Sequence, residues 1–156
     1  MRILTTLALA GALFAPVALH AQRERFSPDD VDFIAKAWPA AKKTNTGIRY
    51  IIEKEGKGAP AKPGDKVSVL YTGKLLNGKT FDEDQDPAHP FAFRVDRGFV
   101  IQGWDQVLQL MKAGEKRLVI IPPDFAYGSR GQVPTVPPDA TLVFQIEILK
   151  IERVDE

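Results

Sequence analysis

The sequence predicts an α+β domain in which several antiparallel strands pack one short helix against a single face. Three observations carry that reading. From Gly47 onward, apolar residues alternate with polar ones in short runs. Glycine- and proline-rich stretches separate those runs. A helical stripe occurs once in the second half, at Trp104, Val107, Leu108 and Met111. There is no internal repeat and no low-complexity tract.

The elements follow in order. Met1 to Ala21 has the form of a secretion signal, with Arg2 and the free amine ahead of a nearly apolar run and the small residue Ala21 at the cleavage position. The alternative is a membrane anchor. A spanning helix wants about 20 apolar residues, and Pro16 and His20 interrupt this run. Residues 22–46 read as an extension. Within it Ser27-Pro28-Asp29-Asp30 starts a helix with a side-chain cap, a first-turn proline and acids at the positive end of the dipole. Val31, Ile34, Ala35 and Trp38 form its apolar stripe, and Pro39 stops it. Such a stripe docks either on the chain's own domain or on a partner.

Ile48, Tyr50 and Ile52 begin the strands, and Gly56 to Gly64 is a loop. Val67, Val69 and Tyr71 alternate next, and Asn77-Gly78 is the signal of a two-residue hairpin turn into Lys79–Phe81. Asp82 to Pro90 is expected to be a loop or bulge rather than regular strand. Phe91 and Phe93 then share a face. The helix at Trp104 is expected to end at Ala113-Gly114. Leu118 to Ile121 is a buried-type strand, and Phe125 to Pro138 is a long loop. The last strand turns Leu142, Phe144, Ile146 and Ile148 to one side and Gln145 and Glu147 to the other. Residues 47–153 thus form one domain, with the densest motifs from 64 to 153.

Composition removes several function classes. Losing Arg2 with the leader brings the 21 Lys and Arg down by one, level with the 20 Asp and Glu. A neutral chain has no electrostatic footprint for nucleic acid or an anionic membrane. The absence of cysteine excludes disulfides, thiolate metal sites and a lipid-modified N-terminal cysteine. Once His20 leaves with the leader, His89 is the sole histidine, which argues against zinc sites and histidine-dependent triads. Gly56-Lys57-Gly58 lacks P-loop spacing, and Gly128-Ser129-Arg130-Gly131 is not a nucleophile elbow. Asp82, Glu83, Asp84 and Asp86 lack the glycine and terminal glutamate of a calcium loop and read as a solvated acidic segment. No metal or cofactor is expected.

What remains is an ordered series of rings and aliphatic residues beside glycines and prolines. It runs through Tyr71-Thr72-Gly73, Gly78-Lys79-Thr80-Phe81-Asp82, Pro90-Phe91-Ala92-Phe93 and Val100-Ile101-Gln102-Gly103-Trp104. It continues through Gly114-Glu115-Lys116-Arg117, Ala126-Tyr127-Gly128 and Pro137-Pro138-Asp139-Ala140-Thr141-Leu142-Val143-Phe144. Facing one another, these residues make a dry cleft around one carboxylate and one phenol, suited to an uncharged peptide group.

In these motifs, their order and their spacing, Gly47 to Arg153 resembles an FKBP-type peptidyl-prolyl cis-trans isomerase domain of the exported, single-domain bacterial type. The resemblance implies a twisted antiparallel sheet wrapped around one short helix. It implies Trp104 as the floor of a proline pocket and Tyr71, Phe81, Phe91, Val100, Ile101 and Phe144 as its walls. The Ile101 N–H and the Tyr127 hydroxyl would donate to substrate carbonyls. Asp82 would sit at the rim, bonded to Tyr71 or turned toward the twisting amide, and Val136 would cover the pocket. Periodicity alone would make each ring ordinary core. The implied partners are proline-containing polypeptides, with macrolides as further ligands, and the implied location is outside the cytoplasm, in the periplasm. The alternative is a module that holds proline segments as a chaperone or adaptor with little turnover, and a third reading is a structural domain whose cleft is simply core.

Gln132 and Phe125 depart from the histidine and tyrosine common in the family, which bears on substrate preference. Thr135 and Val136 are smaller than the usual isoleucines and are expected to loosen the grip on macrolides. The loop from Gly128 to Pro137 is too short for an inserted chaperone domain, and the extension is shorter than the dimerising arm of some relatives, so a monomer is expected.

Overall fold

The computed structural model describes residues 24–154. The expected leader, Met1 to Ala21, lies outside them. In chain order the elements are α1 (Pro28–Ala37), β1 (Lys42–Lys43), β2 (Arg49–Lys54), β3 (Lys66–Leu75), β4 (Thr80–Asp84), β5 (Phe91–Arg94), α2 (Gln102–Leu108), β6 (Lys116–Ile121) and β7 (Leu142–Glu152). The strands form one sheet in the order β1-β2-β6-β7-β3-β4, with every pairing antiparallel. The far side of β3 is shared: its second half pairs with β4 and its first half with β5. None of the described helices is long and apolar enough to cross a membrane.

The alternation in β7 sorts residues to two faces. Leu142, Phe144, Ile146 and Ile148 join Val67, Val69, Val119 and Ile121 in the main core, where α2 contributes Trp104, Val107 and Leu108. Val143 points the other way. With Ile120 it forms a second core against Phe26 and Ile34, bordered by Val31, Trp38, Leu76 and Leu118. Strand β6 is therefore covered on both faces, which is why Leu118 to Ile121 reads as an unbroken apolar run.

Helix α1 begins and docks as its sequence predicts. The Ser27 hydroxyl accepts from the Asp30 N–H at 3.2 Å, Pro28 opens the first turn, and the Trp38 N–H closes the end on the Ile34 carbonyl. Its stripe lies on the chain's own sheet.

Three local expectations need correction. The hairpin after β3 is a three-residue connection. Gly78 N–H bonds the Leu75 carbonyl, Leu75 N–H bonds the Lys79 carbonyl, and Gly78 takes φ +87°. That is a turn followed by a left-handed glycine, a geometry Asn-Gly serves as readily as the two-residue form. Regular strand continues through Asp84, and the bulge falls earlier, between the pairs Gly73–Asp82 and Lys74–Thr80, leaving Phe81 as the extra residue. Helix α2 stops at Leu108. Met111 is buried beyond it in a turn, and Gly114 bonds the Ile148 carbonyl at 2.7 Å on the approach to β6.

Near the start of β3, the buried Asp65 ties the two ends of the domain together. Its carboxylate accepts from the Lys62 N–H at 2.8 Å, Arg153 Nη1 at 2.6 Å and the Val154 N–H at 3.3 Å. Burial alone would raise this carboxyl, but the Lys62 bond, the Arg153 bond and the Val154 bond together hold it below the ordinary carboxylate value. A lowered folded-state value means the stabilisation is complete above the unfolded value and is lost as pH falls through the folded one. Asp65→Asn is expected to cost ~1–3 kcal/mol at neutral pH. In urea titrations that gap should narrow markedly between about pH 5 and pH 3; a gap independent of pH would show that the charge contributes nothing.

Candidate active site

The aromatic residues converge on the concave side of the sheet, where α2 crosses it. Trp104 is the third residue of α2 and 3% exposed. Four rings surround it: Tyr71 with centroids 5.0 Å apart at 86°, Phe144 at 5.3 Å and 83°, Phe93 at 5.9 Å, and Phe91 at 6.4 Å. Edge-to-face contacts of this kind favour the ring quadrupoles as well as burial. Above the indole lies a cavity of about 150 Å3 lined by Tyr71, Phe81, Asp82, Phe91, Phe99, Val100, Ile101, Trp104, Tyr127 and Phe144.

Each wall has a local cause. Phe81 and Asp82 are consecutive, and in a regular strand they would face opposite sides. The bulge at Phe81 turns both toward the cleft. Gly73, paired with Asp82 across the ladder, leaves room for the rings: a Cβ there would stand 2.7 Å from Phe144 Cε1 and 2.8 Å from Phe81 Cζ. Val100 and Ile101 follow a turn held by the buried Asp105 of α2, whose carboxylate accepts from the Asp96 N–H at 2.8 Å and the Gly98 N–H at 3.3 Å.

Polar groups in the cleft are few. Tyr71 Oη donates to Asp82 Oδ2 at 2.9 Å, so of the two placements open to Asp82 the structure has the tyrosine bond. Burial, then that bond, pushes the Tyr71 phenol well above its ordinary value. Burial and the Asp82 charge push Tyr127 up as well. Both hydroxyls therefore stay protonated, and Tyr127 is a donor with no hydrogen-bond partner among the described residues. The Ile101 N–H, just ahead of α2, is likewise unbonded among the described residues, while the Ile101 carbonyl accepts from Trp104 at 3.0 Å. The site thus offers two free donors and one carboxylate in an otherwise apolar hollow. Its one hydroxyl beside a carboxylate, Tyr71 beside Asp82, keeps its proton, and the site favours a neutral amide over a charged group.

A larger cleft of about 650 Å3 opens near the start of β3, lined by Lys62, Gly64, Asp65, Arg94, Arg97 and Arg153 among others. It holds no aromatic ring and does not share this chemistry.

All the residues singled out from sequence line the aromatic cavity except Val136. That side chain is 1% exposed and belongs to the main core, beneath its loop rather than over the pocket. Paired bonds between Gln132 and Val136, N–H to carbonyl at 2.7 and 2.9 Å, fold the loop back on itself and turn Val136 inward, leaving Val133 at the exposed tip. Phe99 was missed. It is 68% exposed on the cavity rim, and its only signal was a large apolar residue directly before Val100-Ile101.

Gly73→Ala tests the packing. It should force Phe81 and Phe144 apart and cost ~1–3 kcal/mol as an overpacked site, with a changed Trp104 fluorescence in a Trp38→Phe background. Unaltered stability and emission would mean that the rings have slack.

The comparisons agree with this geometry. Residues 57–149 match the family model for FKBP-type peptidyl-prolyl cis-trans isomerase. The chain is 43% identical over 115 residues to a probable FKBP-type peptidyl-prolyl cis-trans isomerase of Haemophilus influenzae, covering 74% of this chain and 47% of that protein. It is 45% identical over 104 residues to FK506-binding protein 1A of Emericella nidulans, covering 67% of this chain and 95% of that one. Among solved structures, FkpA from Escherichia coli superposes with a TM-score of 0.71 at 38% identity, covering 81% of this chain and 58% of that chain. The chain therefore spans about half of the Haemophilus protein and nearly all of the Emericella one. With the family model covering most of the domain, the chain belongs to the FKBP-type peptidyl-prolyl cis-trans isomerases.

Proposed function

We propose that this isomerase acts on exported polypeptides, accelerating rotation about Xaa-Pro bonds without a covalent step. The observation that carries the mechanism is the closure of rings around Trp104, with the Tyr71–Asp82 pair, the Tyr127 hydroxyl and the Ile101 N–H as the polar groups at the cavity. Rotation about a peptide bond costs ~18–20 kcal/mol because it breaks partial double-bond character. The cis and trans forms before proline are nearly balanced, so the barrier alone needs help. A planar amide is more charge-separated than a twisted one. Placing it in a dry aromatic hollow disfavours the planar state relative to the transition state, which is the differential binding that catalysis requires.

In this reading the proline ring rests on Trp104, and flanking carbonyls accept from Ile101 N–H and Tyr127 Oη. Asp82 holds the Tyr71 hydroxyl and so fixes the ring that packs on the indole. A thousandfold acceleration asks for only ~4 kcal/mol, within reach of desolvation and two hydrogen bonds. Export is supported by the leader-like residues 1–21, with the periplasm the compartment we favour. A relative named as an FK506-binding protein supports a macrolide of that type as a competing ligand. A monomer is supported by the apolar stripe of α1, which is spent on its own sheet.

The first test is NMR exchange between cis and trans signals of an Ala-Leu-Pro-Phe-type peptide with catalytic amounts of residues 22–156. Broadening is expected; sharp signals with folded protein would shift the reading to a holder of proline segments. Asp82→Ala is expected to lower turnover more than peptide affinity, and an unchanged rate would remove it from the machinery. Phe99→Ala should leave stability within about 0.5 kcal/mol yet weaken binding of peptides with a large apolar residue beside the proline. Equal affinity for all such peptides would exclude Phe99 from substrate contact.

A further inference from the structure

Two latches join the N-terminal extension to the active-site loop. The loop between β6 and β7 spans residues 122–141 and carries Tyr127 close to its start. On the entering side, Arg25 places its guanidinium 4.6 Å over the Phe125 ring and bonds Asp124 Oδ2 at 3.2 Å. On the leaving side, the buried Thr141 hydroxyl donates to Asp30 Oδ2 at 2.7 Å, across 111 residues of chain. The segment bearing both contacts is itself anchored. Phe26 and Ile34 lie in the second core against Ile120 and Val143, which flank the loop near the end of β6 and the start of β7. Ahead of them, Glu24 binds Arg49 at 2.8 Å and Lys43 at 3.5 Å.

We propose that the extension is a brace for the active site, with Arg25 and Asp30 as positioning residues that hold the Tyr127-bearing loop in its binding-competent form. The proposal rests on the reading of Tyr127 as a substrate donor. Phe125 and Ala126 form a short helical turn on Pro122 and Pro123 immediately before Tyr127, so a shift at Phe125 is passed on through two residues of backbone. Surface ion pairs alone contribute little. Here the pair is joined by a stacked ring on one side of the loop and a buried hydroxyl bond on the other, and both act on the same segment. If the loop is competent only part of the time, the apparent substrate affinity falls by that fraction. The effect should therefore appear in KM, with kcat preserved.

The test uses the Arg25→Ala/Asp30→Ala variant, with Lys36→Ala on the same helix as a control and Arg25→Lys as the conservative change. Amide hydrogen exchange comes first. Phe125, Ala126, Gly131 and Asp139 N–H bond within the loop, and they should lose about tenfold protection, with amides of β3 and β7 unchanged. Equal protection in the loop would overturn the proposal whatever Tyr127 does. Kinetics follow as a double-mutant cycle. The brace variant should raise KM about fivefold, Arg25→Lys should restore part of that loss, and the effect should shrink below about twofold in a Tyr127→Phe background. Full additivity would overturn a role through Tyr127. A Tyr127→Phe change with no kinetic effect of its own would instead sink the donor reading, leaving the brace to be decided by the exchange data.

Discussion

The constraint on which the concave face depends is the burial of one flat indole on all sides but one. Trp104 is 3% exposed, yet it still lines the cavity. The molecule meets this with neighbouring rings set at steep angles around it, so that the edges of Tyr71 and Phe144 seal the sides. Its Nε1–H has no hydrogen-bond partner among the described residues. A polar partner there would bring water or charge into the hollow and weaken the desolvation on which the chemistry relies. Glycine at 73, the bulge at Phe81 and the Asp105-held turn before Val100 all serve this one enclosure.

The two faces of the sheet divide the labour. One carries α2 and the cavity; the other is sealed by α1. Because β6 and β7 carry apolar residues on both faces, the extension covers surface that would otherwise lie open above Ile120 and Val143. Leaving such a patch open would invite association. The same covering helix brings Asp30 to Thr141, so a hydrogen bond joins a packing element to the β6–β7 loop.

Much of this was legible in the sequence, because it depends on local patterns. The Ser27 cap, the α1 stripe and the alternation through Leu142–Ile148 each follow from one segment's own periodicity. The rings that meet at Trp104 could be named from their motifs. What escaped depends on two segments at once. A bulge is a relation between strands, so nothing in Thr80-Phe81-Asp82 alone marks Phe81 as the extra residue. The family resemblance implies Val136 over the pocket, whereas the Gln132 bonds that turn it inward exist only once the loop closes. Phe99 gained its place on the rim from a turn whose cap, Asp105, lies on the following helix. Met111 keeps the helical spacing although the chain has already turned, so spacing alone runs α2 past Leu108.

The shared edge of β3 has a consequence for any extended polypeptide brought to this surface. An extended polypeptide carries backbone donors and acceptors not committed to other strands, and any long, flat strand at a sheet margin would pair with them as a template. Here one margin is a two-residue strand of consecutive lysines, Lys42 and Lys43. The other is broken between β4 and β5, with the proline-containing stretch from Gln85 to Pro90 standing in the gap. Neither margin presents a long register. In the proposed function, a polypeptide would then engage through its proline in the hollow rather than by pairing along a sheet margin.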